Sequence, residues 1–207
     1  FSRYHNSKIL SDITIRYGEK SEKVFYGHKQ LLSSRSYWFE KAFTSSFQES
    51  EAKEITLHDD DPNALEAMFY HIYHETTAWD EDEGQEEDTS SSLQHLLQVC
   101  RVADKYDCPE VLEFASTKVL RCLRLYLSKS ARVQAPEKEL QDIIQSFYDS
   151  SDIAMKNSTI TTNMVYIIMN HADVGILNKP GSLRPVILEA AMAIPEFGRD
   201  ILFYLTD

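Results

Sequence analysis

The chain has 207 residues, 43% of them hydrophobic and 26% charged, the balance of a globular protein with material for one or two cores. Asp and Glu number 33 against 21 Lys and Arg, and the resulting net charge of −12 argues against general nucleic-acid or anionic-membrane binding, which need an excess of cations. No apolar run approaches the ~20 residues of a membrane-spanning helix, and the opening Phe1-Ser2-Arg3-Tyr4-His5 lacks the basic-then-apolar layout of a signal peptide.

Ile13, Ile15 and Tyr17 alternate as a half-buried strand does, and Val24 and Tyr26 flank Phe25 in a second. Gly18-Glu19-Lys20-Ser21 between them reads as a hairpin turn. Residues 30–47 are helical in pattern, with Leu31, Leu32, Tyr37, Trp38, Phe39, Ala42 and Phe43. Ser33-Ser34-Arg35-Ser36 interrupts that pattern, so two short helices are expected. Ile55 and Leu57 mark a third strand. From Pro62 the spacing of Leu65, Met68, Phe69 and Ile72 is helical, with Asp61 as N-cap and proline at the first helical position.

Residues 80–88 then carry seven acids and no base, over half of the net negative charge, and should stay solvated and mobile. Leu93, Leu96, Leu97, Cys100 and Ala103 form the next helical stripe. A turn at Tyr106-Asp107-Cys108-Pro109 leads to another, through Val111, Leu112, Ala115, Val119, Cys122, Leu123 and Tyr126. Residues 114–136 hold Lys118, Arg121, Arg124, Lys129 and Arg132 without a single acid. A connector is expected over 128–135. Beyond it Pro136 opens a helix striped by Leu140, Ile143, Ile144 and Phe147, and three more helices follow at 163–171, 183–193 and 196–205. The pattern predicts an α+β first half and an all-helical second half.

Chemistry-bearing motifs are scarce. Cys100, Cys108 and Cys122 match no zinc spacing and read as reduced, buried thiols of an intracellular protein. Phosphate-cradling glycine loops and the nucleophile elbow are absent. His71 and His74 share a helical face but lack a third ligand at suitable range, which favours exposed or capping histidines over a metal pair. Asp80, Asp82 and Gly84 resemble the start of a calcium loop, yet Gln85 and Ser91 stand where its glycine and glutamate belong. No constellation points to an enzyme, a metal or a cofactor.

One pattern exceeds background. Ser11-Asp12-Ile13-Thr14-Ile15, followed by Val24-Phe25-Tyr26-Gly27-His28-Lys29-Gln30-Leu31-Leu32 and Ser36-Tyr37-Trp38-Phe39, resembles the opening of a BTB/POZ domain. Ile55-Thr56-Leu57 with Asp59-Asp60-Asp61-Pro62, the aromatic Phe69-Tyr70-His71-Ile72-Tyr73 and the Ala103-Asp104-Lys105-Tyr106 helix continue the likeness in order. The resemblance implies a small mixed sheet flanked by helices over residues 1–127, with an acidic insert at 77–92, followed by a helical extension over 128–207. The insert and the closing Ile194-Pro195-Glu196-Phe197-Gly198-Arg199-Asp200-Ile201-Leu202 further resemble BTB proteins of filamentous fungi.

Function follows from the resemblance as expectation: a non-enzymatic protein–protein interaction module, at work in the cytoplasm or nucleus. It would self-associate or scaffold a partner, or present substrates to a cullin-type ubiquitin ligase. A role as transcriptional regulator would require a DNA-binding segment elsewhere. In the family Asp12 and Lys29 match a charged pair at the floor of a groove near the dimer interface, and a buried pair of that kind loses ~3–5 kcal/mol when one partner is removed. His28 is expected under the first helix, its ring satisfying a backbone carbonyl; the simpler reading of it and of Asp12 is that they hold the fold, while Lys29 could serve fold or interface.

The self-association surface would include Tyr4, Ile9, Leu10, Leu31, Ser34, Tyr37 and Trp38, although Trp38 could instead bury itself against the third strand. The cullin surface would draw on Tyr73, His74 and Glu75 and on Leu93 and His95, with His95 standing where such proteins carry an acid. Lys118, Arg121 and Arg124 offer a basic face that the acidic tract 80–88 or an acidic partner could cover, against the alternative of a plain solvated helix face.

Overall fold

The structure, a computed structural model, describes residues 1–44, 52–74, 89–130, 137–148, 159–170 and 183–206. The chain clusters into two compact units, one formed by Phe1–Gln85 and Gln98–Ala115, the other by Glu86–Leu97 and Ser116–Asp207.

In the first unit a single 3-10 turn at Ser2–Tyr4 precedes β1 (Ile13–Tyr17) and β2 (Lys23–Gly27). The hairpin turn falls where the sequence puts it: Ser21 N–H donates to Gly18 O at 3.0 Å, and Gly18 takes φ +91°, a conformation that costs glycine little. β1 is central. It pairs antiparallel with β2, from Ile13 opposite Gly27 to Tyr17 opposite Lys23, and parallel with β3 (Glu54–Thr56), so the small sheet is mixed, in the order β2-β1-β3. Alternation along β1 sends Ile13, Ile15 and Tyr17 to one buried face.

The expected break in the first helical run is real. α1 (Lys29–Arg35) and α2 (Tyr37–Thr44) are separated by Ser36 in extended conformation. Ser36 Oγ accepts Phe39 N–H at 3.1 Å as the N-cap of α2 and donates to Tyr106 O at 2.6 Å. α3 (Pro62–His74) starts as predicted, with Asp61 Oδ1 accepting Ala64 N–H at 2.7 Å. Its Met68, Phe69 and Tyr73 pack into an aromatic core in which Phe25 stacks on Phe69 with centroids 4.3 Å apart and Phe39 stacks on Tyr106 at 5.8 Å. Each such fully buried side chain contributes roughly 1.5–3 kcal/mol.

The two longest helices, α4 (Thr89–Lys105) and α5 (Pro109–Ser130), supply residues to both units. The second unit adds α6 (Glu137–Tyr148), α7 (Thr159–Asn170), α8 (Arg184–Ala193) and α9 (Pro195–Thr206). The predicted stripe of α6, Leu140, Ile143, Ile144 and Phe147, is fully buried. At the α8–α9 corner Gly198 has no Cβ because one would sit 2.7 Å from the Ala191 carbonyl oxygen.

Two boundaries differ from expectation. α5 runs on to Ser130, into the start of the expected connector. α7 begins at Thr159 rather than at 163, through three threonines that are poor helix formers; burial of Ile160 and Thr161 outweighs that propensity. No described helix is long and apolar enough to cross a membrane.

Candidate functional site

His28 lies between β2 and α1 and is 8% exposed. Its backbone N–H donates to Tyr73 Oη at 2.9 Å, its Nδ1 lies 3.0 Å from the same hydroxyl, and its Nε2 is 2.8 Å from Ile9 O. A carbonyl only accepts, so the network assigns the ring proton to Nε2, and the Nδ1 lone pair takes the Tyr73 O–H. Tyr73 Oη thus accepts one bond and donates one. Burial pushes the Tyr73 hydroxyl well above its ordinary range, with the charge of Asp12 adding to the effect and the His28 N–H opposing it. The ring of Tyr4, half-buried, meets His28 edge-on at 5.5 Å.

Asp12 and Lys29 meet here too, but through the main chain. Asp12 Oδ1 accepts the backbone N–H of Lys29, the first of α1, at 2.7 Å, while Lys29 Nζ lies 5.3 Å from the centre of the Phe43 ring. Asp12 is exposed and Lys29 half-buried, which corrects the expectation of a buried ion pair: the carboxylate caps a helix end at the surface, where water keeps its charge cheap.

Four of the large apolar members of the expected self-association surface are exposed in the single chain. Ile9 is 66% exposed, Leu10 76%, Tyr37 55% and Trp38 37%. Leu31 is half-buried, and Ser34, also exposed, turns its hydroxyl back onto Leu31 O at 2.8 Å. Trp38 does not bury itself against β3. It stands edge-on to Phe39 and Tyr106, with centroids 5.1 and 5.0 Å away.

The Ala103-Asp104-Lys105-Tyr106 stretch acquires a mechanical reason. Lys105 Nζ donates to His58 O at 2.9 Å and to Asp60 Oδ1 at 2.7 Å, and Tyr106 O–H donates to Asp60 Oδ2 at 2.6 Å. The end of α4 therefore clamps the loop between β3 and α3, while the Tyr106 carbonyl receives the Ser36 hydroxyl. Asp60 and Ser36 were not singled out from sequence. The run of three aspartates and the break of four polar residues are the signals that pointed to them.

The expected cullin-facing residues fare differently. Tyr73 and Leu93 are fully buried, each 0% exposed, so neither is a contact residue on the chain's surface. The helical period that places Tyr73 beside His74 also turns it inward to His28. His74 and His95 are half-buried. His74 stacks on Tyr70 with centroids 3.9 Å apart and His71 leans on Phe114 at 5.3 Å, so both are half-buried and pack on aromatic rings rather than standing exposed. Glu75 and the acidic tract 80–88 lie outside the described residues.

Among the described residues no group of three His, Cys, Asp or Glu is arranged to hold a metal ion. On α5, Arg121 and Arg124 are exposed and Lys118 half-buried. All three cysteines are thiols; Cys100 and Cys108 are buried, whereas Cys122 is half-buried rather than buried. Burial pushes the Cys108 thiol up to about 12, the opposite of activation for chemistry.

Comparison with known proteins agrees with this geometry. The sequence profile of the BTB/POZ domain matches residues 1–123. Kelch-like protein 17 of Mus musculus, Rattus norvegicus and Homo sapiens is 35% identical over 72 residues, which is 35% of this chain and 11% of each of those proteins. The chain thus matches only about a tenth of the length of these relatives. With the profile spanning the mixed sheet, the His28–Tyr73 network and the Lys105–Tyr106 clamp, the chain belongs to the BTB/POZ family of protein-interaction domains.

Proposed function

We propose that the chain is a self-associating interaction module that uses its N-terminal segment and the α1–α2 helices to bind a second copy of itself. One observation carries this reading. The large hydrophobic side chains that stay exposed among the described residues of the first unit are Phe1, Ile9, Leu10, Tyr37 and Trp38, all of them within residues 1–10 or at the start of α2. Ile9 and Asp12 are tied to His28 and Lys29 at the start of α1, so the two exposed stretches flank the same short helix. Apolar exposure of this kind is stabilised by burial at roughly 25 cal/mol per Å². Light scattering of the purified chain should give twice the mass of one copy, and Trp38→Ala should return it to one. A wild-type chain that is monomeric at every concentration tested would end this reading.

Service as adaptor for a cullin-type ligase is a second reading that rests on family membership. With Tyr73 and Leu93 buried, such a contact would fall to His74, His95 and residues beyond the described ones. Copurification of a cullin with the full chain, strengthened by His95→Asp, which supplies the acid that such proteins carry there, would support it. Arg121 and Arg124, with Lys118 beside them, offer a face for an acidic partner segment, testable by charge reversal at both arginines. The domain limit near residue 127 is proposed on the same footing.

A further inference from the structure

The N-terminal segment is held to the first unit by side-chain ties. Asn6 Oδ1 accepts Tyr26 N–H at 3.0 Å, on the outer edge of edge strand β2, and Ile9 O accepts the His28 Nε2 proton. Asn6 and Leu10 take φ +48° and +59°, left-handed backbone that residues other than glycine adopt at a cost. The third tie is the His5 ring, which meets Phe25 at 5.6 Å, Tyr70 at 5.4 Å, Tyr73 at 5.8 Å and His74 at 5.1 Å between centroids.

We propose that His5, facing His74, is a pH-sensitive latch that holds residues 1–10 against β2 and α3 and lets go in mildly acidic solution. The groups around it define the mechanism. β2 presents the uncharged Phe25; α3 presents the phenol rings of Tyr70 and Tyr73 and the second imidazole, His74. His28 also meets Tyr73, with centroids 5.7 Å apart, and Asp12 is the acid whose charge reaches Tyr73.

Among the described residues no carboxylate acts on the His5 ring, so a proton on it gains no ion pair from them and meets another imidazole instead. Burial first, and His74 second, hold His5 below its ordinary 6.5. Burial also lowers His74.

The sign follows. Released, His5 returns to its ordinary value and takes up a proton that the latched form refuses. The latch is therefore at full strength above the ordinary value of 6.5 and weakens as the pH falls below it. Release uncovers the Tyr26 N–H on the strand edge, a template for pairing with another chain.

Histidine ring NMR and amide hydrogen exchange on the full chain test the latch. Protection of the Tyr26 amide, corrected for intrinsic exchange, should fall several-fold between about pH 7.5 and about pH 5.5. His5→Phe, which keeps a ring in the nest but cannot titrate, should flatten that fall, and His74→Phe should reduce it. An undiminished fall in both variants would place the titration elsewhere and overturn the proposal. So would a wild-type His5 resonance that titrates at or above the ordinary histidine value, which decides the matter even if a variant fails to fold.

Discussion

At the scale of single residues, the junction of β2 and α1 concentrates the polar interior of the first unit. Tyr73 Oη is the shared partner of the His28 N–H and ring Nδ1, so Tyr73→Phe strands both in a buried site. The expected loss is about 1–3 kcal/mol, read by urea denaturation. Asp12→Ala tests the corrected role of the neighbouring acid. An exposed carboxylate that caps the first N–H of α1 is worth about 1 kcal/mol, against the ~3–5 kcal/mol of a broken buried ion pair. A measured loss in the upper range would show that Asp12 is buried in the protein's working state.

These residues also mark how far the sequence could be read. The Asp12, His28 and Lys29 motif was visible as a family likeness, and the prediction that His28 satisfies a backbone carbonyl agrees with its bond to Ile9 O. That Tyr73 is the other partner was not legible. Nothing in a helical stripe tells which aromatic carries its hydroxyl to a residue 45 positions away.

Among elements, the short connections do the structural work. Ser36 caps α2 and spends its own proton on Tyr106 O while 2% exposed, so Ser36→Ala removes a cap and leaves the buried carbonyl with only the weak Cys108 thiol donor at 3.5 Å. A loss of about 1–2 kcal/mol is expected in chemical denaturation, with Ser36→Thr recovering part of it.

Gly198 plays the corresponding part in the second unit. An added methyl would strike the Ala191 backbone oxygen, which cannot swing aside as a side-chain end would. Gly198→Ala should therefore cost about 1–3 kcal/mol, although glycine-to-alanine changes in unstrained helices usually stabilise. Calorimetry of the pair would show it as a lowered melting temperature. The order and type of elements were legible because alternation and the 3.6-residue period are strong over Ile13 to Tyr17, Leu65 to Ile72 and Leu140 to Phe147. The start of α7 was not, since tertiary burial of Ile160 and Thr161 overrides what three threonines prefer locally.

For the whole molecule the question is why so much apolar surface of the first unit stays in water. Leu10 poses it most sharply: a large aliphatic residue, 76% exposed, in a left-handed conformation at φ +59°. Neither property helps a lone chain. Aspartate tolerates that backbone region better than leucine and is at home in water, so in a monomer Leu10→Asp should be neutral or mildly stabilising. If Leu10 belongs to a self-association face, the same change places a charge in an apolar interface and costs association instead.

Concentration separates the two cases. A folded dimer unfolding to single chains melts at a temperature that rises with protein concentration, because mass action adds to its stability. The wild-type midpoint should climb over a hundredfold range of concentration, while the Leu10→Asp midpoint stays flat and meets the wild-type curve at its dilute end. A wild-type midpoint indifferent to concentration, with Leu10→Asp melting at or above it, would leave Leu10 without a partner surface and return the segment to a purely internal role.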